Sequence, residues 1–196
     1  MKNKEIFYIS NLLSLSRFVL LIFIMIFLLS NSGFHYLITS LLILILWLTD
    51  ILDGYFARKR NEVSELGRII DPLADKTAVV AITIILVTQN IIPMWFFIII
   101  ALRDVLILTG GAYIKHIKGI VLQSNRIGKL TVFIIGFTLL NSILLAYFTV
   151  NTENNFILYH IDKLELYWKF LILVSIVMSV ISIVSYFRKF LKTISS

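Results

Sequence analysis

The chain reads as an all-α integral membrane protein, with six transmembrane helices around a polar site facing the cytoplasm. Three observations lead there. The composition is 59% hydrophobic with 15% charged residues and two prolines, and the mean hydropathy is +0.96, far from a soluble profile. The apolar residues fall in long runs, and 196 residues suffice for six spans of roughly 20 residues with short connections. The basic residues, finally, collect in the tails and in two connections, as the cytoplasmic side of a membrane protein requires.

Taken in order, the spans are expected at 12–30, 34–57, 68–89, 93–115, 127–149 and 166–187. Lys2 and Lys4 precede an apolar run to Leu29 with no small-residue cleavage site after it, which reads as an uncleaved first span. Residues 1–11 hold a segment too short and mixed to cross, expected to lie along the interface. Asn31-Ser32-Gly33 marks the first turn, and Gln89-Asn90 followed by Pro93 the third. Thr149 to Lys169 reads as the longest polar connection. No repeat or low-complexity tract interrupts the chain, so residues 1–196 are expected to form a single membrane domain.

Orientation follows from charge. Lys2, Lys4, Arg58, Lys59, Arg60, Arg68, Lys115, Lys118, Arg126, Lys129, Arg188, Lys189 and Lys192 would stand on one side, and only Lys163 and Lys169 on the other. Both termini are therefore expected in the cytoplasm of a multi-pass protein of the cell membrane. The net charge of +7 belongs to headgroup contacts rather than to a soluble basic face, which excludes nucleic acid as a partner. There are no cysteines, so disulfides and thiolate metal sites are excluded.

One segment carries the chemistry. Asp50, Asp53, Asp71 and Asp75 lie beside two apolar runs, and ionised groups there are costly without cationic partners. On helices, Asp50 and Asp53 (i, i+3) share a face, as do Asp71 and Asp75 (i, i+4). Two such faces turned together would make an all-oxygen cage for hard divalent cations such as Mg²⁺, Mn²⁺ or Ca²⁺. Two cations between four carboxylates suit displacement at phosphorus, and a carboxylate beside them can deprotonate an attacking hydroxyl. Gly54, Gly67 and the small Ala57 admit a ligand close to the backbone, and Arg58 offers a planar fork for phosphate oxygens. The plain alternative, solvated loop charges, fits Lys59, Arg60, Glu62 and Glu65 better than the aspartates.

The run Asp50-x-x-Asp53-Gly54-x-x-Ala57-Arg58, followed by Gly67-x-x-x-Asp71-x-x-x-Asp75, resembles the signature of the CDP-alcohol phosphotransferases at each of its fixed positions. The resemblance covers essentially the whole chain. It implies six transmembrane helices and a reaction in which an acceptor hydroxyl displaces CMP from CDP-diacylglycerol. It further implies two divalent cations, Mg²⁺ or Mn²⁺, and a homodimer, which is common in the family. By motif position, Asp50, Asp53, Asp71 and Asp75 would be metal ligands and Asp75 also the general base. Asp50, Gly54, Ala57, Arg58 and Gly67 would bind the cytidine nucleotide.

For the acceptor, Asn11-Leu12-Leu13-Ser14-Leu15-Ser16-Arg17 and Asp71-Pro72-Leu73-Ala74-Asp75-Lys76 are similar to bacterial phosphatidylglycerophosphate synthases. A phosphorylated acceptor needs a basic pocket, for which Arg103, Arg126 and Lys129 are the candidates. Gly111 stands where those synthases carry a second arginine, and Gly128-Lys129-Leu130-Thr131-Val132 replaces a more basic run. Arg103-Asp104-Val105-Leu106 also resembles the cardiolipin synthases of the same family, whose acceptor, phosphatidylglycerol, reacts through a neutral glycerol. Glycerol 3-phosphate is the first choice, phosphatidylglycerol the alternative, and a divalent-cation transporter the distant one. The transporter lacks a second acidic cluster near the outer ends.

Of the remaining residues, His35, His116 and His160 have no ligand spacing and read as interfacial. Trp47, Trp95 and Trp168 read as an aromatic belt. Gly110-Gly111 and Gly136 read as helix-packing positions, and Asn141 and Ser142 as candidates for hydrogen bonds between helices.

Overall fold

The computed structural model describes residues 9–30, 34–60, 67–119, 126–150 and 155–195, with side chains described for 15–30, 34–50, 52, 76–119, 126–150 and 159–194. The described residues form six α-helices: α1 (Ile9–Leu28), α2 (His35–Arg60), α3 (Gly67–Thr88), α4 (Met94–Lys118), α5 (Arg126–Val150) and α6 (Asn155–Ser195). Their runs are rich in Ile, Val and Phe, residues that favour strands in water. In lipid, a single segment can satisfy its own backbone only as a helix.

The first five helices match the expected spans to within a few residues at each end, and the sixth does not. α6 opens at Asn155 and runs for 41 residues, so most of the expected polar connection is helical. Between Asn155 and Lys169 there is no glycine or proline to stop a helix, and Glu165 pairs with Lys169 at 2.7 Å one turn on. At about 1.5 Å per residue α6 is longer than the roughly 30 Å hydrocarbon layer of a bilayer. The expected turn at Asn31-Ser32-Gly33 and residues 1–8 of the expected interfacial segment lie outside the described residues, while residues 9–11 open α1.

Sharp boundaries have visible causes. Pro93 holds the N-cap position of α4 with extended backbone, and Gly119 ends the helix at φ 66°, its N–H bonded to Lys115 O. Lys115 and Lys118 place positive charge in the last turn, where it complements the negative end of the helix dipole. After α3, Asn90 takes φ 59°, a left-handed conformation that asparagine tolerates.

The chain divides into two compact units, residues 1–89 and 90–196. In the first, α1 packs against both α2 and α3. The buried positions of α1, Arg17, Leu21, Ile24 and Leu28, repeat at four and three residues, the period of one helix face. Thr39, Ile43 and Leu46 of α2, and Ala78, Ile82 and Ile85 of α3, do the same. Gln89 Nε2 donates to Leu28 O at 2.6 Å, satisfying a carbonyl left open at the end of α1.

In the second unit, α6 packs against α4 and α5. The α5–α6 contact is an antiparallel seam of hydroxyls. Thr131 Oγ1 lies 3.1 Å from Met178 O, Thr138 and Ser175 share a hydrogen bond of 2.7 Å, and Trp168 Nε1 donates to Ser142 Oγ at 2.8 Å. Small hydroxyl residues let helix backbones approach closely in lipid. The Trp168 indole thus has a specific partner on α5, and Ser142 bonds between helices while Asn141 Nδ2 donates to Phe137 O of its own helix. α4 and α6 run parallel: a Cβ on Gly111 would stand 3.0 Å from the Tyr186 hydroxyl, and Lys118 Nζ donates to Thr193 O and Ile194 O at the end of α6.

Met94–Lys118, Arg126–Val150 and Tyr159–Ile194 are long and apolar enough to cross a membrane, and the described parts of α1–α3 add shorter apolar helices. Ile98, Leu102, Val105, Leu130, Phe133, Phe170 and Leu173 are among the many large apolar side chains left exposed. Such a surface marks a membrane protein.

Candidate functional site

Asp50, Asp53, Gly54, Ala57 and Arg58 fall in α2, and Gly67, Asp71 and Asp75 in α3. The i, i+3 and i, i+4 pairs of aspartates are therefore helical pairs. The buried spacing of α2 (Thr39, Ile43, Leu46) continues in the sequence to Asp50, Asp53 and Ala57; that of α3 (Ile85, Ile82, Ala78) continues back to Asp75 and Asp71. The side chains of Asp53, Ala57, Arg58, Asp71 and Asp75 lie outside the described residues, as do the surroundings of Gly54 and Gly67. Among the described residues no group of three or more His, Asp or Glu could hold a metal, and three of the four aspartates are not among them.

Asp50 is described, and its position is informative. Its side chain is 50% exposed, and its Oδ1 accepts a hydrogen bond from Arg17 Nη1 at 2.8 Å. Arg17 belongs to α1 and is 2% exposed. In the sequence Arg17 belongs only to the N-terminal likeness, outside the signature. Its signal was an arginine inside an apolar run, a feature that calls for an acidic partner. The donor chemistry fits a hard divalent cation: four carboxylates and no thiolate in the signature, with Asp50 keeping an oxygen, Oδ2, unbonded among the described residues.

Arg103 is buried on α4, at 4% exposure. Its Nη1 donates to Asp104 Oδ1 at 2.6 Å, and its Nη2 lies 3.3 Å from both Gly128 O and Ser182 Oγ. Nε of the same side chain is buried with no partner among the described residues. The Gly128 contact brings Arg103 to the first turn of α5, which carries Arg126 and Lys129, both exposed. That turn holds no acidic residue, so its cations face the positive end of the helix dipole uncompensated, an arrangement that favours an anion there. His35, by contrast, is buried and tilted against Tyr36 with ring centroids 3.8 Å apart.

Residues 7–181 match the model of the CDP-alcohol phosphatidyltransferases. The chain belongs to this family. It is 35% identical to the CDP-diacylglycerol--glycerol-3-phosphate 3-phosphatidyltransferase of Aquifex aeolicus over 73% of its own length and 79% of that protein's. The enzyme of the same name from Bacillus subtilis is 41% identical over 46% of this chain and 47% of its own. The cardiolipin synthase (CMP-forming) of Streptomyces coelicolor is 31% identical over 43% of this chain and 40% of its own. Both acceptor classes weighed from the sequence are thus represented among its relatives.

Proposed function

We propose that the protein transfers a phosphatidyl group from CDP-diacylglycerol to glycerol 3-phosphate, releasing CMP and forming phosphatidylglycerophosphate. The observation that carries this is the complete aspartate signature from Asp50 to Asp75, placed on two helices that both pack against α1, in a chain whose family match spans residues 7–181. In the reaction, the acceptor hydroxyl oxygen forms a bond to the lipid-linked phosphorus, the bond from that phosphorus to the CMP oxygen breaks, and Asp75 takes the hydroxyl proton. Asp50, Asp53, Asp71 and Asp75 would hold two divalent cations, Mg²⁺ or Mn²⁺, which when bound neutralise charge on the pyrophosphate. Gly54, Ala57 and Gly67 leave room for the nucleotide, and Arg58 meets its phosphate.

Arg103, Arg126 and Lys129 support glycerol 3-phosphate as the acceptor. The contact between Arg103 and Gly128 O gathers basic groups at one helix end, where the exposed Arg126 and Lys129 would offer charge-assisted donors to a phosphate oxygen. Phosphatidylglycerol is the second reading, favoured by the engagement of the Arg103 guanidinium with Asp104, which lowers the net positive charge there. All six helices cross the membrane in this account. The antiparallel α5–α6 seam and the parallel α4–α6 pairing fit strict alternation of direction. The charge bias puts both termini and the site in the cytoplasm, in a single domain that assembles as a homodimer. The acceptor is tested by supplying the purified protein with CDP-diacylglycerol and each alcohol separately; a phosphatidylglycerophosphate product supports the reading, and cardiolipin alone replaces it with the second.

A further inference from the structure

We infer that Arg17 is a positioning residue that fixes the carboxylate of Asp50 for its divalent cation, so that α1, outside the signature, forms part of the ligand-holding apparatus. The inference rests on the proposed reading of Asp50 as a ligand.

The geometry is specific. Arg17, Leu21, Ile24 and Leu28 occupy the buried face of α1, and Thr39, Ile43 and Leu46 that of α2. Asp50 continues the α2 spacing by one step, and Arg17 stands one step beyond Leu21 on α1. The ion pair therefore ends the α1–α2 seam, in register with the apolar contacts. The Arg17 side chain is 1% exposed and that of Asp50 50%. A guanidinium cannot shed its charge on burial, so it holds its anionic partner firmly, and with packing on every side it has little freedom to follow a moving carboxylate. The bond at 2.8 Å is to Oδ1, which orients Asp50 to offer a single oxygen, Oδ2, to a cation. Carboxylates that ligate metals depend on such hydrogen bonds for their orientation, and loss of one typically weakens metal affinity or activity by about 10- to 100-fold.

A purely structural ion pair would behave otherwise. Its loss would lower stability but leave the metal affinity of the folded protein alone. The two are separated by titrating the purified full-length protein with Mn²⁺ alone, following binding by electron paramagnetic resonance, together with the unfolding midpoint and the Mn²⁺ dependence of CMP release. Arg17→Gln removes the charge and Arg17→Lys keeps it without the planar fork. Both are expected to bind Mn²⁺ about 10- to 100-fold more weakly, Arg17→Lys less severely, and CMP release should recover at high Mn²⁺. Wild-type Mn²⁺ affinity in either folded variant overturns the inference, as does failure of both to fold, which would make Arg17 a structural residue. Asp50→Ala distinguishes the two levels of the argument. If Asp50→Ala loses Mn²⁺ while Arg17→Lys does not, positioning fails and the ligand reading stands; if Asp50→Ala binds normally, the ligand reading itself fails.

Discussion

Arg103 on α4 and Ser182 on α6 meet through Nη2 and Oγ at 3.3 Å, and the same nitrogen reaches Gly128 O on α5. One buried guanidinium thus touches all three helices of residues 90–196. This dual engagement gives Arg103 a structural role alongside the acceptor role proposed for it.

The two roles separate on mutation. Arg103→Met removes the hydrogen bonds that tie α4 to Ser182 and to the Gly128 carbonyl, and should destabilise the protein by about 1–3 kcal/mol. Arg126→Gln and Lys129→Gln change exposed side chains and should leave the unfolding midpoint nearly unchanged. Each should raise the KM for glycerol 3-phosphate by roughly tenfold or more, the loss of a charge-assisted hydrogen bond of about 1.5–3 kcal/mol, with KM for CDP-diacylglycerol unaffected. An unchanged acceptor KM in both would remove them from the pocket.

The aspartates make a sharper pair. Asp75→Asn should abolish transfer while CDP-diacylglycerol binding persists, because a proton acceptor is lost and most of the lipid contacts remain. Asp53→Ala should lose both metal and nucleotide binding. Calorimetric titration of each variant with Mn²⁺ and with CDP checks the contrast, and full activity in either variant contradicts the assigned roles.

Tyr186 offers a test of packing in the second unit. Its hydroxyl is buried with no hydrogen-bond partner among the described residues, and it stands 3.0 Å from where a Cβ on Gly111 would be. Tyr186→Phe should stabilise the fold by about 1 kcal/mol, since an unsatisfied polar group leaves the interior. Gly111→Ala should be about 1–2 kcal/mol less favourable beside Tyr186 than in the Tyr186→Phe background, because the new methyl crowds the hydroxyl. Equal costs in the two backgrounds, read from unfolding midpoints in detergent, would show that the hydroxyl is not what the new methyl meets.

How far the sequence carried these conclusions depended on the length scale of the signal. Apolar runs of about 20 residues read as helices from hydropathy, so α1 to α5 were legible nearly to their ends. α6 was not, because polar residues from Asn155 to Lys169 end a hydropathy run without ending a helix. The signature placed the aspartates on α2 and α3 by local spacing alone. The Arg17–Asp50 and Arg103–Ser182 pairs join residues 33 and 79 positions apart, and such partners are set by tertiary packing. Gly110-Gly111 was readable as a packing site, but its partner Tyr186 was not, for the same reason.

Orientation is open to a direct chemical map, because the chain has no native cysteine to give background. Lys115→Cys, at the exposed end of α4, should be labelled only once a membrane-impermeant maleimide reaches the cytoplasmic side. Tyr159→Cys, exposed early in α6, should be labelled in intact cells. The reverse pattern would invert the protein and place the signature outside.

The most direct test of the account is CMP release by the purified protein given CDP-diacylglycerol, glycerol 3-phosphate and Mg²⁺ or Mn²⁺, with chelator and Asp75→Asn as controls. The account predicts release that requires the lipid, the acceptor and the cation together, and that is lost in Asp75→Asn. Release that proceeds with all metal chelated, or undiminished in Asp75→Asn, would contradict it.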